Sequence, residues 1–323
     1  MEDKLWKCEL WQWKFIIKGL IPEQVKLKEK IWLKKGELFL EKKGNDLQAY
    51  LLGKEEDRFN RDEILADYLR FTCLISTNTP DIKDRGGVGL KSENEFGKDL
   101  DHQNVTFSSI AVKMPDEVIP DIERHVPKFI DTIKNIHDKY NEVVSGNEFM
   151  EVALDYFYDA EKKFIYSNEG FISAMISMEA LFNEGPSDIR YKLSHRAAFL
   201  LGFCDMDSIQ VFEKLKEIYN KRSNLVHGRG DLKNDPDRGL VSRYTRRSII
   251  IFLILLSSEK RNKISKKKRK EELLLEIDNA MLDNNACNLL KKEIEKGLKD
   301  FQLPVPRVFE GEGNHGHYRV TAW

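Results

Sequence analysis

Trp11, Trp13, Phe15 and Ile17 alternate with Gln12, Lys14 and Lys18. That is the two-residue period of a strand with one buried face, and only Ile16 breaks it. Ile31-Trp32-Leu33 and Leu38-Phe39-Leu40 flank Lys34-Lys35-Gly36-Glu37, which predicts a hairpin with glycine in its turn. A third apolar run covers 49–52 and closes at Gly53. Residues 61–75 suit a helix, or a helix running into a strand. Breakers then dominate, in Thr79-Pro80-Asp81 and Asp84-Arg85-Gly86-Gly87-Val88-Gly89, and a loop is expected there. Residues 1–115 therefore read as a mixed α+β module.

Beyond Asp116 the period lengthens. Val118, Ile122, Phe129, Ile133, Ile136 and Tyr140 recur near helical spacing, with Pro127 expected to kink or restart the helix. Further helices are predicted over 149–165 and 171–182. Ser187 is the expected N-cap of a helix ending at Gly202. Asp207 with Gln210 resembles a capping box opening a helix that runs to His227-Gly228. Residues 240–258 form a long helix whose second half is almost wholly apolar, either a core helix or one buried between subunits. Two fainter helical stretches follow over 271–281 and 288–298. The expected fold class is α+β: the N-terminal β-containing module, an all-α helical domain over 116–301 with its core at 149–258, and an extended tail over 302–323.

Composition narrows the class. The 323 residues carry 53 Lys and Arg against 54 Asp and Glu, a net charge of −1, and 41% are hydrophobic. Such a chain is neither disordered nor a globally basic nucleic-acid coat. Its longest apolar run, 249–256, falls well short of the ~20 residues that cross a bilayer, so no membrane span is expected. Cys8, Cys73, Cys204 and Cys287 are isolated, which suits reduced thiols rather than zinc or disulfide frameworks. Glu2 and Asp3 open the chain without the layout of a secretory signal, and a cytoplasmic protein without cofactor or metal is expected.

The chemistry concentrates in Tyr219-Asn220-Lys221-Arg222-Ser223-Asn224-Leu225-Val226-His227-Gly228. One view is an exposed arginine with a dipole-stabilised histidine at a helix end. The other is catalytic. Arg222 offers a bidentate fork for phosphate, and His227 is suited to moving protons near neutral pH. RNA brings its own nucleophile in the 2′-hydroxyl, so this pair is a minimal set for cleaving it without a metal. Five residues at ~100° place Arg222 and His227 roughly 140° apart on a helix. A shared site thus needs a distorted helix end or a second copy of the motif. His227, beside the unpaired carbonyls of a helix end, is expected to favour its protonated form there.

Arg222-Ser223-Asn224-Leu225-Val226-His227 resembles the R-x4-6-H motif of HEPN domains, helical modules found as ribonucleases in toxin–antitoxin and phage-defence systems. Ala174-Met175-Ile176-Ser177-Met178-Glu179-Ala180-Leu181-Phe182 is similar to the A-x-E-A-L helix of the Apea-like branch. The stretch from Lys192-Leu193-Ser194-His195-Arg196 through Ala197-Ala198-Phe199-Leu200-Leu201 resembles its L-x-x-R-A-A-x-L-L helix. Tyr219, Arg222-Ser223 and His227-Gly228 fit its Y-x-x-R-S-x-x-V-H-G helix. The resemblance spans about 149–258. It implies a helical bundle that dimerises, brings two Arg–His pairs into one cleft and cleaves RNA as a defence or toxin effector. Ser223 and Asn224 follow the arginine as supporting polar residues. Some HEPN modules bind nucleic acid or nucleotide, or dimerise within larger complexes, without cleaving. A non-catalytic module, with an antitoxin or defence-complex partner, is therefore the alternative.

Glu179 lies in an apolar helix and needs a partner; Arg196 or Arg222 would serve, structurally or by orienting Arg222. Lys221 and Arg229 flank the motif, and Arg243, Arg246 and Arg247 share one helix face, so these five are the candidate RNA contacts. Residues 260–270 hold eight basic residues in eleven and no acid. They read as a solvated, mobile linker or as a source of salt-dependent phosphate contacts. His195 reads as a surface or packing residue, and Gly86-Gly87-Val88-Gly89 lacks the Gly-Lys-Ser/Thr of a phosphate loop. His315 and His317 read as parts of a flexible tail. Trp6, Trp11, Trp13 and Trp32 suit base stacking, but first a strand packed on its own core.

Overall fold

The structure is a computed structural model describing residues 10–18, 30–35, 37–43, 46–53, 61–74, 81–90, 119–162, 167–229, 232, 235 and 237–301. It is α+β. The chain divides into two compact units: 1–72 with 78–134 and 303–322, and 73–77 with 135–302. The division falls inside one helix, after Lys134. The expected boundary near 115 and the tail calls, including His315 and His317, lie outside the described residues, as does Trp6.

The first unit is built on a five-stranded antiparallel sheet in the order β2-β3-β4-β1-β5. Its strands are β1 (Leu10–Lys18), β2 (Ile31–Lys34), β3 (Leu38–Lys43), β4 (Asp46–Gly53) and β5 (Asp81–Leu90). The alternating tryptophan segment is β1, between β4 and β5. Its broken alternation at Ile16 coincides with a register shift against β5 between Ile16 and Ile17. The residue skipped there is Lys83 of β5; β1 itself keeps an unbroken register against β4, from Trp11 opposite Gly53 to Ile17 opposite Leu47. Glu37 N donates to the Lys34 carbonyl at 3.0 Å and closes the predicted hairpin. Leu38, Phe39 and Leu40 are all buried, and the Phe39 ring stacks on Tyr50 at 4.9 Å. Helix α1 (Arg61–Arg70) buries Leu65, Tyr68 and Leu69, then tightens into a 3₁₀ turn, Phe71–Leu74, rather than a strand.

Residues 81–90 depart from expectation. The glycine-rich stretch is no loop; Gly87 pairs with Trp13 and Gly89 with Trp11 in the ladder. Glycine disfavours a strand through its entropy, but an available partner strand supplies the hydrogen bonds that offset it. The backbone groups a phosphate loop would aim at an anion are spent on β1.

Helix α2 (Ile119–Ser145) runs through Pro127 without interruption. A proline removes one helical hydrogen bond, and a helix of 27 residues tolerates that single loss. The helical unit continues with α3 (Glu148–Lys162), α4 (Asn168–Phe182), α5 (Ile189–Gly202), α6 (Ser208–Val226) and α7 (Asp237–Leu256). It closes with the short α8 (Glu259–Asn262), α9 (Arg269–Ala280) and α10 (Asn284–Gly297). Residues 249–256 of α7 are all buried, so α7 is a core helix, packed against α3, α4, α5, α6 and α10. Phe252 meets Phe182 edge-on at 5.2 Å. At Gly297 a Cβ would stand 2.4 Å from Ile254 Cγ2, so only glycine lets α10 approach so closely. Helix α5 starts after Asp188, in the left-handed region at φ 56°, not after the expected Ser187. Aspartate tolerates that conformation, which the turn after Gly185-Pro186 imposes. Among the described residues no helix is long and apolar enough to cross a membrane.

The first half of α7 buries polar side chains. Glu161 of α3, fully enclosed, accepts from Ser242 Oγ and from Arg246 Nη2 at 2.7 Å, and burial pushes its carboxyl above the usual range. Arg246 Nε also donates to the Cys73 carbonyl at 2.7 Å. Removing one partner of such a pair strands the other charge. Arg246→Ala should lower the unfolding free energy by about 3–5 kcal/mol, read from urea transitions. A loss under about 1 kcal/mol would contradict this assignment of the pair.

Candidate functional site

Helix α6 sets the site. Asp207 Oδ1 accepts from the amides of Ile209 (2.9 Å) and Gln210 (3.0 Å), satisfying the first turn as the capping pattern predicts. Gln210 Nε2 reaches the Asp207 carboxylate at 3.3 Å rather than its backbone. Val211, Leu215 and Ile218 face the core. Past Ile218 that apolar face gives out, and Arg222 stands on the border.

Arg222 Nη2 lies 3.3 Å from Glu179 Oε2 of α4, and its guanidinium sits 6.0 Å from the Tyr219 ring centroid, one turn back on α6. Both partners are mostly enclosed. Arg222 therefore supplies the counter-charge for Glu179. Arg196 does not: it pairs with Asp278 at 2.6 Å and Glu184 at 2.9 Å, and donates to the Phe182 carbonyl. Arg222 Nε and Glu179 Oε1 are buried without a hydrogen-bond partner. The Tyr219 hydroxyl is a further hydrogen-bond partner of the Glu179 carboxylate. Burial raises the Glu179 carboxyl, opposed by the Arg222 charge; burial and the Glu179 charge raise the Tyr219 phenol.

His227 caps α6 and is exposed, and Gly228 follows at φ 69°. Arg229 N donates to the Asn224 carbonyl at 2.7 Å and Gly228 N to the Leu225 carbonyl at 3.0 Å. This is a Schellman turn, and the positive φ at Gly228 permits it. With His227 N on the Ser223 carbonyl at 3.2 Å, three of the helix-end carbonyls already have donors. The expectation of an imidazole beside unpaired carbonyls is corrected to that extent. Ser223 is half-buried and Asn224 exposed.

The candidate RNA contacts divide. Arg229 and Arg243 are exposed. Lys221 is not a free cation: its ammonium bridges Asp235 at 2.7 Å and Asp237 at 2.5 Å, and Lys214 joins Asp237 at 3.3 Å. Arg246 lies inside the buried pair with Glu161. Arg247 is half-buried, donates to the Cys204 carbonyl at 3.2 Å, and has its guanidinium lowered by burial. The face shared by Arg243, Arg246 and Arg247 thus turns largely inward, because α7 is enclosed by other helices. His195 stacks on Tyr191 at 5.4 Å, in keeping with a packing role. Among the described residues no group of three or more metal-ligating side chains occurs.

Sequence reasoning placed Arg222, His227 and Glu179 but assigned no part to Tyr219. Its spacing of three from Arg222 was the available signal. The clamp of Asp235 and Asp237 on Lys221 had no such local signal. Compared with known proteins, the chain matches no family model, no curated protein and no solved structure.

With its carboxyl raised, folded Glu179 holds a proton at pH values where the unfolded chain has lost it. This group therefore makes stability fall as pH rises through that window. Glu179→Gln should flatten that portion of the stability–pH curve, measured by thermal unfolding from pH 4 to 8. An unchanged slope would contradict the burial of the carboxylate.

Proposed function

We propose that the helical unit is a HEPN-type endoribonuclease acting on RNA without a metal, as a homodimer in defence or growth control. The observation that carries this is the Arg222 guanidinium, braced by Glu179 and Tyr219, with an exposed His227 five residues on at a capped helix end. Bracing removes rotamer freedom that phosphate binding would otherwise have to remove. In the reaction the 2′-oxygen forms a bond to phosphorus as the bond to the 5′-oxygen breaks. A histidine takes the 2′-hydroxyl proton and the leaving 5′-oxygen gains one. Arg222 offsets charge on the phosphoryl oxygens. Products are a 2′,3′-cyclic phosphate and a 5′-hydroxyl. His227 caps the helix rather than lying within it, and in this reading a second copy supplies the facing Arg–His pair.

The pairing of Arg222 with Glu179 favours a second reading, a non-catalytic module that binds nucleic acid or nucleotide within a defence complex. In that case the guanidinium is a structural charge.

Purified chain incubated with RNA in EDTA should release cyclic-phosphate ends. His227→Ala should slow this by about 10²–10⁴-fold, and Arg222→Ala by about 10²–10³-fold. Specific activity should rise with protein concentration through the dimerisation range. Equal rates in wild type and variants, or a requirement for divalent metal, would sink the mechanism. Growth arrest on expression, relieved by His227→Ala, separates the toxin from the non-catalytic module.

A further inference from the structure

The basic run over 260–270 is neither a mobile linker nor part of the Arg222 site. It folds as α8, a 3₁₀ turn (Lys266–Lys268) and the start of α9. Two arginines hold it down. Arg261, 2% exposed, donates to the Leu255 carbonyl at 2.6 Å and the Ser258 hydroxyl at 3.1 Å, and pairs with Glu293 at 2.7 Å and Glu276 at 2.9 Å. Arg269 Nε donates to the Ile264 carbonyl at 3.0 Å. Lys268 N closes the turn onto the Ser265 carbonyl at 2.9 Å.

The remaining cations separate by role. Lys270 is half-buried over the Phe149 ring, and burial lowers its ammonium to about 8. Lys260 pairs with Glu276 at 3.3 Å. Lys263, Lys266, Lys267 and Lys268 are exposed and form no ion pair among the described residues. Glu271 and Glu272, one turn on, pair with none of them. Several lysines on other helix surfaces of this unit meet acids, as in Lys216–Glu213, Lys214–Glu217 and Lys291–Glu295; what sets these four apart is their crowding within six residues of chain. Four uncompensated ammonium groups on an anchored turn lose less chain entropy on meeting a polyanion than the same groups on a free linker would.

We infer that Lys263, Lys266, Lys267 and Lys268 form a docking surface for the phosphate backbone of single-stranded nucleic acid. Contacts to phosphate carry no sequence information, so this surface adds affinity and leaves the choice of cleavage position to the Arg222 site. It rests on RNA being the ligand proposed above, but not on cleavage.

The test measures binding of a labelled all-deoxy single strand to the full chain, by fluorescence anisotropy across a series of salt concentrations. Such a strand has no 2′-hydroxyl and stays intact whatever the catalytic outcome. The quadruple variant Lys263→Gln, Lys266→Gln, Lys267→Gln, Lys268→Gln should lower the log–log salt slope by about 3, from roughly 0.7 per neutralised phosphate. Its affinity at low salt should fall at least tenfold. All four side chains are exposed, so an unchanged circular dichroism melt is expected. Arg243→Gln serves as a comparison and should move the slope by no more than about 1. An unchanged slope in the quadruple variant overturns the inference. So does wild-type preference for phosphatidylserine vesicles over the strand. RNA cleavage with an unchanged slope would sink this surface alone. Loss of cleavage with the slope effect intact would sink the ribonuclease reading alone.

Discussion

Eight consecutive apolar residues at the end of α7 leave that helix no side that tolerates water. Each turn from Ile249 to Leu256 presents hydrocarbon in every direction, and other helices must enclose it. Helices α3, α4, α5, α6 and α10 do so. The other end of the same helix is enclosed as well: Ser242, Thr245, Arg246 and Ser248 are buried. The polar first half of α7 is thereby drawn inside, and its charges must find partners there. Arg246 finds Glu161, and Arg247 finds the Cys204 carbonyl. A row of arginines that local spacing would offer to RNA becomes mostly a set of internal fasteners.

Helix α6 shows the opposite case. Its core face ends at Ile218, so the following turns lie where burial fades. Arg222 is held at that border by Glu179 and the Tyr219 ring, and His227 emerges into solvent at the Schellman turn. One residue is thus braced and the other exposed.

Charge along this chain is decided by anchoring more than by count. Lys221 and Lys260 to Arg269 look alike in a sequence, yet Lys221 is clamped by two aspartates and Arg261 by two glutamates. The four lysines projecting from the turn between α8 and α9 form no ion pair among the described residues. The buried Arg261 and the half-buried Arg269 do the anchoring, which converts a basic stretch that reads as a linker into a folded surface.

Local pattern was enough for β1 to β4, for α3 to α7, α9 and α10, and for both caps of α6, whereas the short α8 lies in a basic run that reads as a linker. These depend on periodicity and on side chains within four residues of one another. The candidate pair Arg222 and His227 was visible for the same reason, as was the need of Glu179 for a counter-charge. What local pattern missed depends on contacts distant in the chain. Residues 81–90 became a strand because β1 offered an edge, against the preference of their glycines. Arg196 and Arg222 were equal candidates for Glu179 until packing brought one helix beside it and sent the other arginine to Asp278. The sequence by itself determined which residues carry charge, which stretches turn into most of the helices, and which one had to be buried. Only the tertiary structure decided which charges are spent inside and which still face a partner, because burial and pairing are properties of neighbours in space.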